Sequence, residues 1–148
     1  DLTVVRAGEE VDIELPTIPL NGRGVERIVV WAGMIVHQPH YEIAAQRGLE
    51  PAGVYVAWMW YGSPASRYGF RATRRILAID DSPIADLDAF IQVVEKMEDK
   101  QAVRVQMEGL DGSQKVSTLK LDLHYWPTEE IFRDGAIWKR SQLGKPSE

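Results

Sequence analysis

Cysteine is absent from this sequence of 148 residues. Without thiols the chain has no disulfide framework, no cysteine nucleophile and no cysteine-based metal site. Long apolar runs are missing too, because none approaches the roughly 20 residues that a membrane-spanning helix needs. Positive charge is not in excess, since 22 acidic side chains outnumber 17 basic ones and give a formal net charge of −5. A basic patch is the usual footprint of a nucleic-acid-binding domain, so we expect neither nucleic acid nor a membrane as a partner.

What the chain does contain suits one domain with extensions. Hydrophobic residues make up 45% of the sequence and charged residues 26%, which is ordinary for a globular protein with a real core. The sequence opens at Asp1 with neither a methionine nor a basic, apolar leader. We interpret it as a fragment of a longer protein, with any targeting signal lost.

The stretch 53–80 is the most ordered pattern in the chain. From Val54 to Tyr61 the larger β-branched and tryptophan side chains occupy every second position, the period of two that is typical of a strand. Gly62, Ser63 and Pro64 end that strand, and Ser63 is a suitable N-cap for a short helix that begins with proline. Gly69 suits the end of that helix. A second apolar strand follows at 76–79.

This order of parts resembles a PDZ domain of the kind found in HtrA/Deg serine proteases. The segments 53–56 (Gly-Val-Tyr-Val), 62–65 (Gly-Ser-Pro-Ala), 68–70 (Tyr-Gly-Phe) and 76–80 (Ile-Leu-Ala-Ile-Asp) fall in the family's order with similar spacing. One segment departs from the pattern, because 72–74 reads Ala-Thr-Arg where the family usually has Pro-Gly-Asp. The resemblance implies a mainly β, α+β fold with two or three short helices, a PDZ-like partly open β-barrel or sandwich.

The first 24 residues form a separate part of the pattern. Residues 2–15 predict a β-hairpin with Gly8 in its turn, and Pro16 to Gly24 reads as a linker. By resemblance this hairpin is either the end of a preceding PDZ domain or an extra hairpin added to this domain's own sheet. The PDZ-like domain itself is predicted at 25–138, followed by a flexible tail at 139–148.

The resemblance also implies where a peptide binds. Spacing back from Pro39 aligns the carboxylate-binding loop with Val29, Val30, Trp31 and Ala32, and the strand that receives a peptide with Gly33, Met34, Ile35 and Val36. Such a loop aims backbone N–H groups at a terminal carboxylate. Glycine normally eases that geometry, but Trp31 stands here instead. Trp31 therefore either blocks the pocket or forms its wall.

Helices are predicted at 39–48 and at 87–97. In the second, apolar residues recur at three- and four-residue steps after an N-cap at Asp86. By resemblance this helix forms the second wall of the groove. Its less apolar flank supplies the candidate groove positions, which are Ala89, Gln92, Val93 and Lys96.

The C-terminal third predicts a hairpin and a tail. Strands at 102–108 and 116–123 flank a turn at 110–113. In the tail, Thr128 is a candidate cap for a short helix. The run 121–128, together with 30–33 and Pro39-His40, resembles the last PDZ-like domain of multi-PDZ members of the HtrA/Deg group, and this resemblance covers 25–138.

Catalytic and metal chemistry is not indicated. The parent family uses a Ser-His-Asp triad, but Ser63, Ser66 and Ser113 all lie in turn or cap contexts, and no nucleophile motif is present. His37 and His40 have the spacing of a ligand pair without a third ligand nearby, and packing or surface roles are favoured. Asp80-Asp81 is typical of a strand-end turn. We expect no catalytic residue, metal or cofactor.

Two tryptophans on one strand raise the question of a contact surface. Trp58 and Trp60 are two residues apart and share a face. Either they are partly exposed and mark a contact surface, or the N-terminal hairpin or the tail around Trp126 and Trp138 covers them.

These observations lead to one functional hypothesis with alternatives. The chain is expected to be a non-catalytic regulatory module of an HtrA/Deg-type serine protease that binds C-terminal or unfolded polypeptide segments by strand addition. Alternatively, Trp31 has closed the groove, and the module docks neighbouring protease or PDZ domains or subunits, including in a homo-oligomer. A third option is a PDZ domain attached to another protease or a secretion component.

Overall fold

The computed structural model describes residues 1–17, 24–41 and 52–144. Among these residues the fold is mainly β with two short helices, which confirms the predicted fold class. The strands are β1 (Leu2–Arg6), β2 (Glu9–Ile13), β3 (Arg27–Trp31), β4 (Met34–His37), β5 (Val54–Met59), β6 (Arg75–Ile79), β7 (Ser82–Pro83), β8 (Ala102–Glu108), β9 (Gln114–Lys120), β10 (Glu129–Asp134) and β11 (Ile137–Gln142), and the helices are α1 (Pro64–Arg67) and α2 (Leu87–Val94).

One antiparallel sheet organises the domain. Its strand order is β11-β10-β3-β4-β5-β6-β8-β9, with β7 paired to β6. Within the described residues the sheet is open and does not close into a barrel. The core lies under its middle strands and is covered by α2, whose buried residues are Leu87, Phe90, Ile91 and Val94. The period of three and four residues in α2 thus buries one stripe of the helix, as its sequence predicts.

Local signals placed both helices correctly. Ser63 is the N-cap of α1, and its side chain accepts a hydrogen bond from the Ser66 N–H. Asp86 caps α2 in the same way, because its carboxylate accepts the Ala89 N–H at 2.8 Å. The helix predicted at 39–48 falls largely on residues 42–51, which lie outside the described residues.

The C-terminal region differs from the prediction at Thr128. Thr128 does not cap a helix, because it is buried and leads into strand β10. The residues expected to start a flexible tail belong to β11, which pairs with β10 from Asp134↔Ile137 to Glu129↔Gln142. Beyond β11, the Leu143 N–H donates to the Thr128 carbonyl at 2.9 Å. Backbone pairing, which polar side chains do not reveal, therefore extends the sheet through Gln142.

The N-terminal hairpin has the predicted form. β1 and β2 make a two-stranded sheet of their own, in register from Leu2↔Ile13 to Arg6↔Glu9. Every residue of β2 is exposed, and so are all but one of β1. No helix of the described residues is long and apolar enough to cross a membrane.

Candidate functional site

The candidate site begins at a tight turn between β3 and β4. Only Ala32 and Gly33 separate the two strands, with Trp31 opposite Met34. Both turn residues have positive φ, 50° at Ala32 and 76° at Gly33, as a two-residue type I′ hairpin turn requires. The end of the segment that the resemblance aligns with a carboxylate-binding loop thus leads into a two-residue hairpin turn.

Close packing holds this turn in place. A Cβ added to Gly33 would overlap the Ser63 side chain and lie 3.0 Å from the Trp126 ring. The Ala32 carbonyl accepts the Ala65 N–H at 3.1 Å, and the Gly33 carbonyl accepts the Trp60 N–H at 2.9 Å. The start of α1 and the end of β5 therefore fix the backbone at the point where the resemblance places a carboxylate-binding loop.

Strand β4 is paired along both of its edges. On one side β3 runs antiparallel to it, with Val29↔Val36 and Val30↔Ile35 in register. On the other side it pairs with β5, from Met34↔Met59 to His37↔Tyr55. A peptide adds to a sheet by pairing with a free edge. In the described structure a peptide reaches Gly33–Val36 only if a neighbouring strand is displaced.

Strand β3 lies between β4 and helix α2. At its start, the Arg27 guanidinium is 2.5 Å from the Asp88 carboxylate in the first turn of α2. At its end, the Trp31 ring meets Phe90 of α2 edge-on, with ring centroids 5.4 Å apart and planes at 89°. Trp31 is fully buried, so it fills the space between the strand and the helix.

Two ion pairs made by Arg27 hold the N-terminal end of β3. Arg27 also contacts Glu130 of β10, so two carboxylates from different elements share one guanidinium. Burial lowers the pKa of Arg27, but the hydrogen bonds with Glu130 and Asp88 outweigh it and raise that pKa above its ordinary value. The cation thus joins β3, β10 and α2 at one point.

The predicted site residues fall into two groups. Those at 29–36 form the β3–β4 hairpin, in which Val29, Trp31, Ala32, Gly33, Met34 and Val36 are buried and Val30 and Ile35 are partly buried. On α2, Gln92 is exposed and Ala89 and Val93 are partly buried, while Lys96, which follows the helix, is exposed. Their role in binding a peptide stays a prediction.

Three contact residues were missed by sequence reasoning. Asp88 and Phe90 of α2 contact β3, and Arg27 contacts α2. The signal that was available is the pair of β-branched runs around Ala32-Gly33, which is typical of a hairpin with a two-residue turn. A strand at Arg27–Trp31 would have placed Arg27, Val29 and Trp31 on one face.

Other reactive side chains have structural contacts. The Ser63 hydroxyl donates to the Trp60 carbonyl at 2.6 Å and is fully buried. The His37 and His40 rings meet edge-on at 4.7 Å, and His37 Nδ1 lies 2.7 Å from the Gln38 carbonyl oxygen. Burial lowers the pKa of His37 below its ordinary value. Asp80 forms the predicted turn, where its carboxylate accepts the Arg104 N–H at 2.8 Å.

Trp58 of β5 and Trp60, which follows that strand, are only partly covered. Trp60 faces Trp126, with ring centroids 6.4 Å apart, and retains 39% exposure. Trp58 remains 56% exposed. The tail therefore covers one of the two rings in part, and the other is open to contact.

A comparison with known protein families identifies the family to which this fold belongs. A family model for PDZ-like domains matches residues 25–100. This chain belongs to the PDZ-like domain family. The match begins just before β3 and ends after α2, so it includes the β3–β4 hairpin and helix α2.

The relatives of this PDZ-like domain are HtrA-type serine proteases. Protease Do-like 7 from Arabidopsis thaliana is 39% identical over 147 residues, which is 97% of this chain and 13% of that protein. The pro-apoptotic serine protease nma111 from Aspergillus clavatus is 34% identical over 134 residues, or 90% and 13%. The chain thus spans only about an eighth of the length of these relatives.

Solved structures share the PDZ-like fold. The HtrA-type protease AlgW, described with a decapeptide, is 27% identical with a TM-score of 0.55 over 64% of this chain and 29% of that one. The HtrA3 PDZ domain, described as bound to the phage-derived ligand FGRWV, is 14% identical with a TM-score of 0.51 over 64% and 86%. The second likeness concerns the fold alone.

Proposed function

We propose that this PDZ-like domain is a non-catalytic interaction module of a larger HtrA-type serine protease, with its peptide groove closed by its own strand β3. The observation that carries the proposal is the pairing of β4 on both edges. In this closed form the module docks against neighbouring protease or PDZ domains. Exposed aromatic side chains such as Trp58 and Tyr61, the latter 87% exposed, suit such contacts.

Peptide titration tests the closed groove. We expect the peptide Phe-Gly-Arg-Trp-Val to give no saturable shifts of backbone amide resonances up to millimolar concentration. The same peptide with an amidated C-terminus controls for contacts that ignore the carboxylate. Saturable binding that amidation weakens, with shifts centred on 29–36, would contradict the closed groove. It would instead support the second candidate, a module that binds C-terminal peptides.

That second candidate rests on the related structures. AlgW and the HtrA3 PDZ domain are both described with peptides. For this chain, the same mode requires β3 to leave the groove. The non-catalytic assignment has its own test, because the purified chain should not hydrolyse casein. Cleavage that a serine-directed inhibitor abolishes would overturn it.

A further inference from the structure

Resting on the closed groove proposed above, we infer that β3 is an intramolecular ligand whose contacts define the class of peptide that this groove accepts. That class is an extended segment with an aromatic residue next to its C-terminal residue and an arginine four residues before that aromatic residue. Three sets of contacts carry the inference: the backbone of β3, the Trp31 ring and the Arg27 guanidinium.

The backbone of β3 makes the pairing that an added strand makes. It runs antiparallel to β4 through Val29↔Val36, Val30↔Ile35 and Trp31↔Met34. Its other edge pairs with β10, from Glu129↔Val30 to Phe132↔Arg27. Main-chain hydrogen bonds give strand addition its affinity, and alternate side chains give it specificity. Pairing on two edges should make release of β3 slow.

The Trp31 ring occupies a fully buried position on β3. Trp31 and Val29 are fully buried, while Ile28 and Val30 are partly exposed. Trp31 therefore lies on the inward face, where Phe90 of α2 meets it edge-on. Buried aromatic anchors of this kind commonly dominate the binding energy of an interface. A small residue at this position would leave the space beside Phe90 unfilled.

The Arg27 guanidinium fixes the other end. It lies four residues before Trp31, on the same face of the strand. Asp88 of α2 and Glu130 of β10 both contact it. Arginine presents a planar fork of donors that can serve two carboxylates at once, whereas lysine presents a point charge. The groove therefore selects arginine at this spacing by charge and geometry.

Cutting the chain at the turn converts β3 into a true C-terminal segment. A site-specific protease sequence is inserted between Ala32 and Gly33 in the complete chain and then cleaved. We expect the N-terminal fragment to remain bound, as measured by native mass spectrometry. The acetylated peptide Arg-Ile-Val-Val-Trp-Ala should then displace it. Fragment loss accompanied by unfolding of the remainder would overturn the inference, because β3 would then be an integral strand.

Matched peptides test the class of ligand. Replacing the peptide's tryptophan by alanine should weaken competition at least about thirtyfold, as for a buried aromatic anchor. Replacing its arginine by glutamine should weaken competition about two- to fivefold, since the Arg27–Asp88 pair is partly exposed. Equal competition by all three peptides would overturn the inference.

An uncut variant provides an independent test if the insertion prevents folding. Arg27→Glu places like charge against Asp88 and Glu130 and weakens the docking of β3. We expect this variant to bind Arg-Ile-Val-Val-Trp-Ala at least tenfold more tightly than the unmodified chain does, and failure to gain affinity would contradict the inference. Tight peptide binding by the unmodified, uncut chain would instead refute the closed groove, so the two failures are distinguishable.

Discussion

Replacement of Trp31 is the sharpest test of how the groove is filled. The ring is fully buried and meets the Phe90 ring edge-on. Truncating such a residue to alanine costs roughly 3–5 kcal/mol, against a total stability of about 5–15 kcal/mol for a typical domain. With a urea m-value of about 2 kcal/mol/M, Trp31→Ala should lower the unfolding midpoint by about 2 M. Far-UV circular dichroism during urea titration measures the change.

Two further variants separate burial from other effects. Trp58→Ala is the matched control and should cost less than about 1 kcal/mol, because Trp58 is 56% exposed. Trp31→Phe should cost less than about 2 kcal/mol. Phenylalanine leaves a smaller cavity, and it removes an indole N–H that has no partner among the described residues. A cost below 1 kcal/mol for Trp31→Ala, or equal costs for alanine and phenylalanine, would refute the reasoning.

Three other predictions concern the turn, a buried histidine and the N-terminal hairpin. Gly33→Ala should lower the free energy of unfolding, measured in urea, by at least about 2 kcal/mol more than Gly62→Ala does. Both glycines have positive φ, but of the two only Gly33 has neighbours that an added Cβ would meet. Equal costs would contradict the packing of the turn. The free energy of unfolding should fall as pH drops below about 6.5, because the unfolded state takes up a proton that buried His37, with its lowered pKa, resists. His37→Gln should flatten that slope between pH 7.5 and 5.5, and an unchanged slope would count against the assignment. Deleting residues 1–15 should change the unfolding free energy by less than about 1 kcal/mol, since the hairpin is a separate, exposed sheet; a larger loss would show that it packs on the domain.

Strong local signals explain what could be predicted from the sequence. Ser63 followed by Pro64 predicts the start of α1, and Asp86 before an amphipathic stripe predicts α2. Both signals depend on side chains that bond to backbone within one turn, so they can be read from neighbouring residues. The strand at 54–59 and the hairpin around 110–113 follow equally from alternation and turn residues.

The position of β3 depends on contacts that are distant in sequence. β3 pairs with β10, roughly 100 residues away along the chain, and Arg27 meets Asp88 and Glu130. No local pattern encodes such pairing, because many strands have compatible edges. The same limit applies to residues 139–142, which fall in the tail predicted at 139–148. Their polar side chains say little about a backbone that pairs with β10.

At Trp31 the sequence predicts part of the structure, and contacts distant in sequence determine the rest. Its presence in place of glycine indicates that the loop is altered, but leaves open whether the ring blocks the pocket or forms its wall. The structure shows the ring buried against Phe90. Which side of the hairpin faces the helix depends on the register of β3 with β4, and that register follows from the two-residue turn.

Amide hydrogen exchange along β4 tests the central claim most directly. Successive N–H groups of a strand between two antiparallel neighbours point alternately to each of them. If β3 occupies the groove, all amides of Met34–His37 should exchange slowly, at rates similar to those of the interior strand β8. If every second amide of β4 instead exchanges as fast as those on the outer edge of β11, the edge is free and the closed groove is wrong.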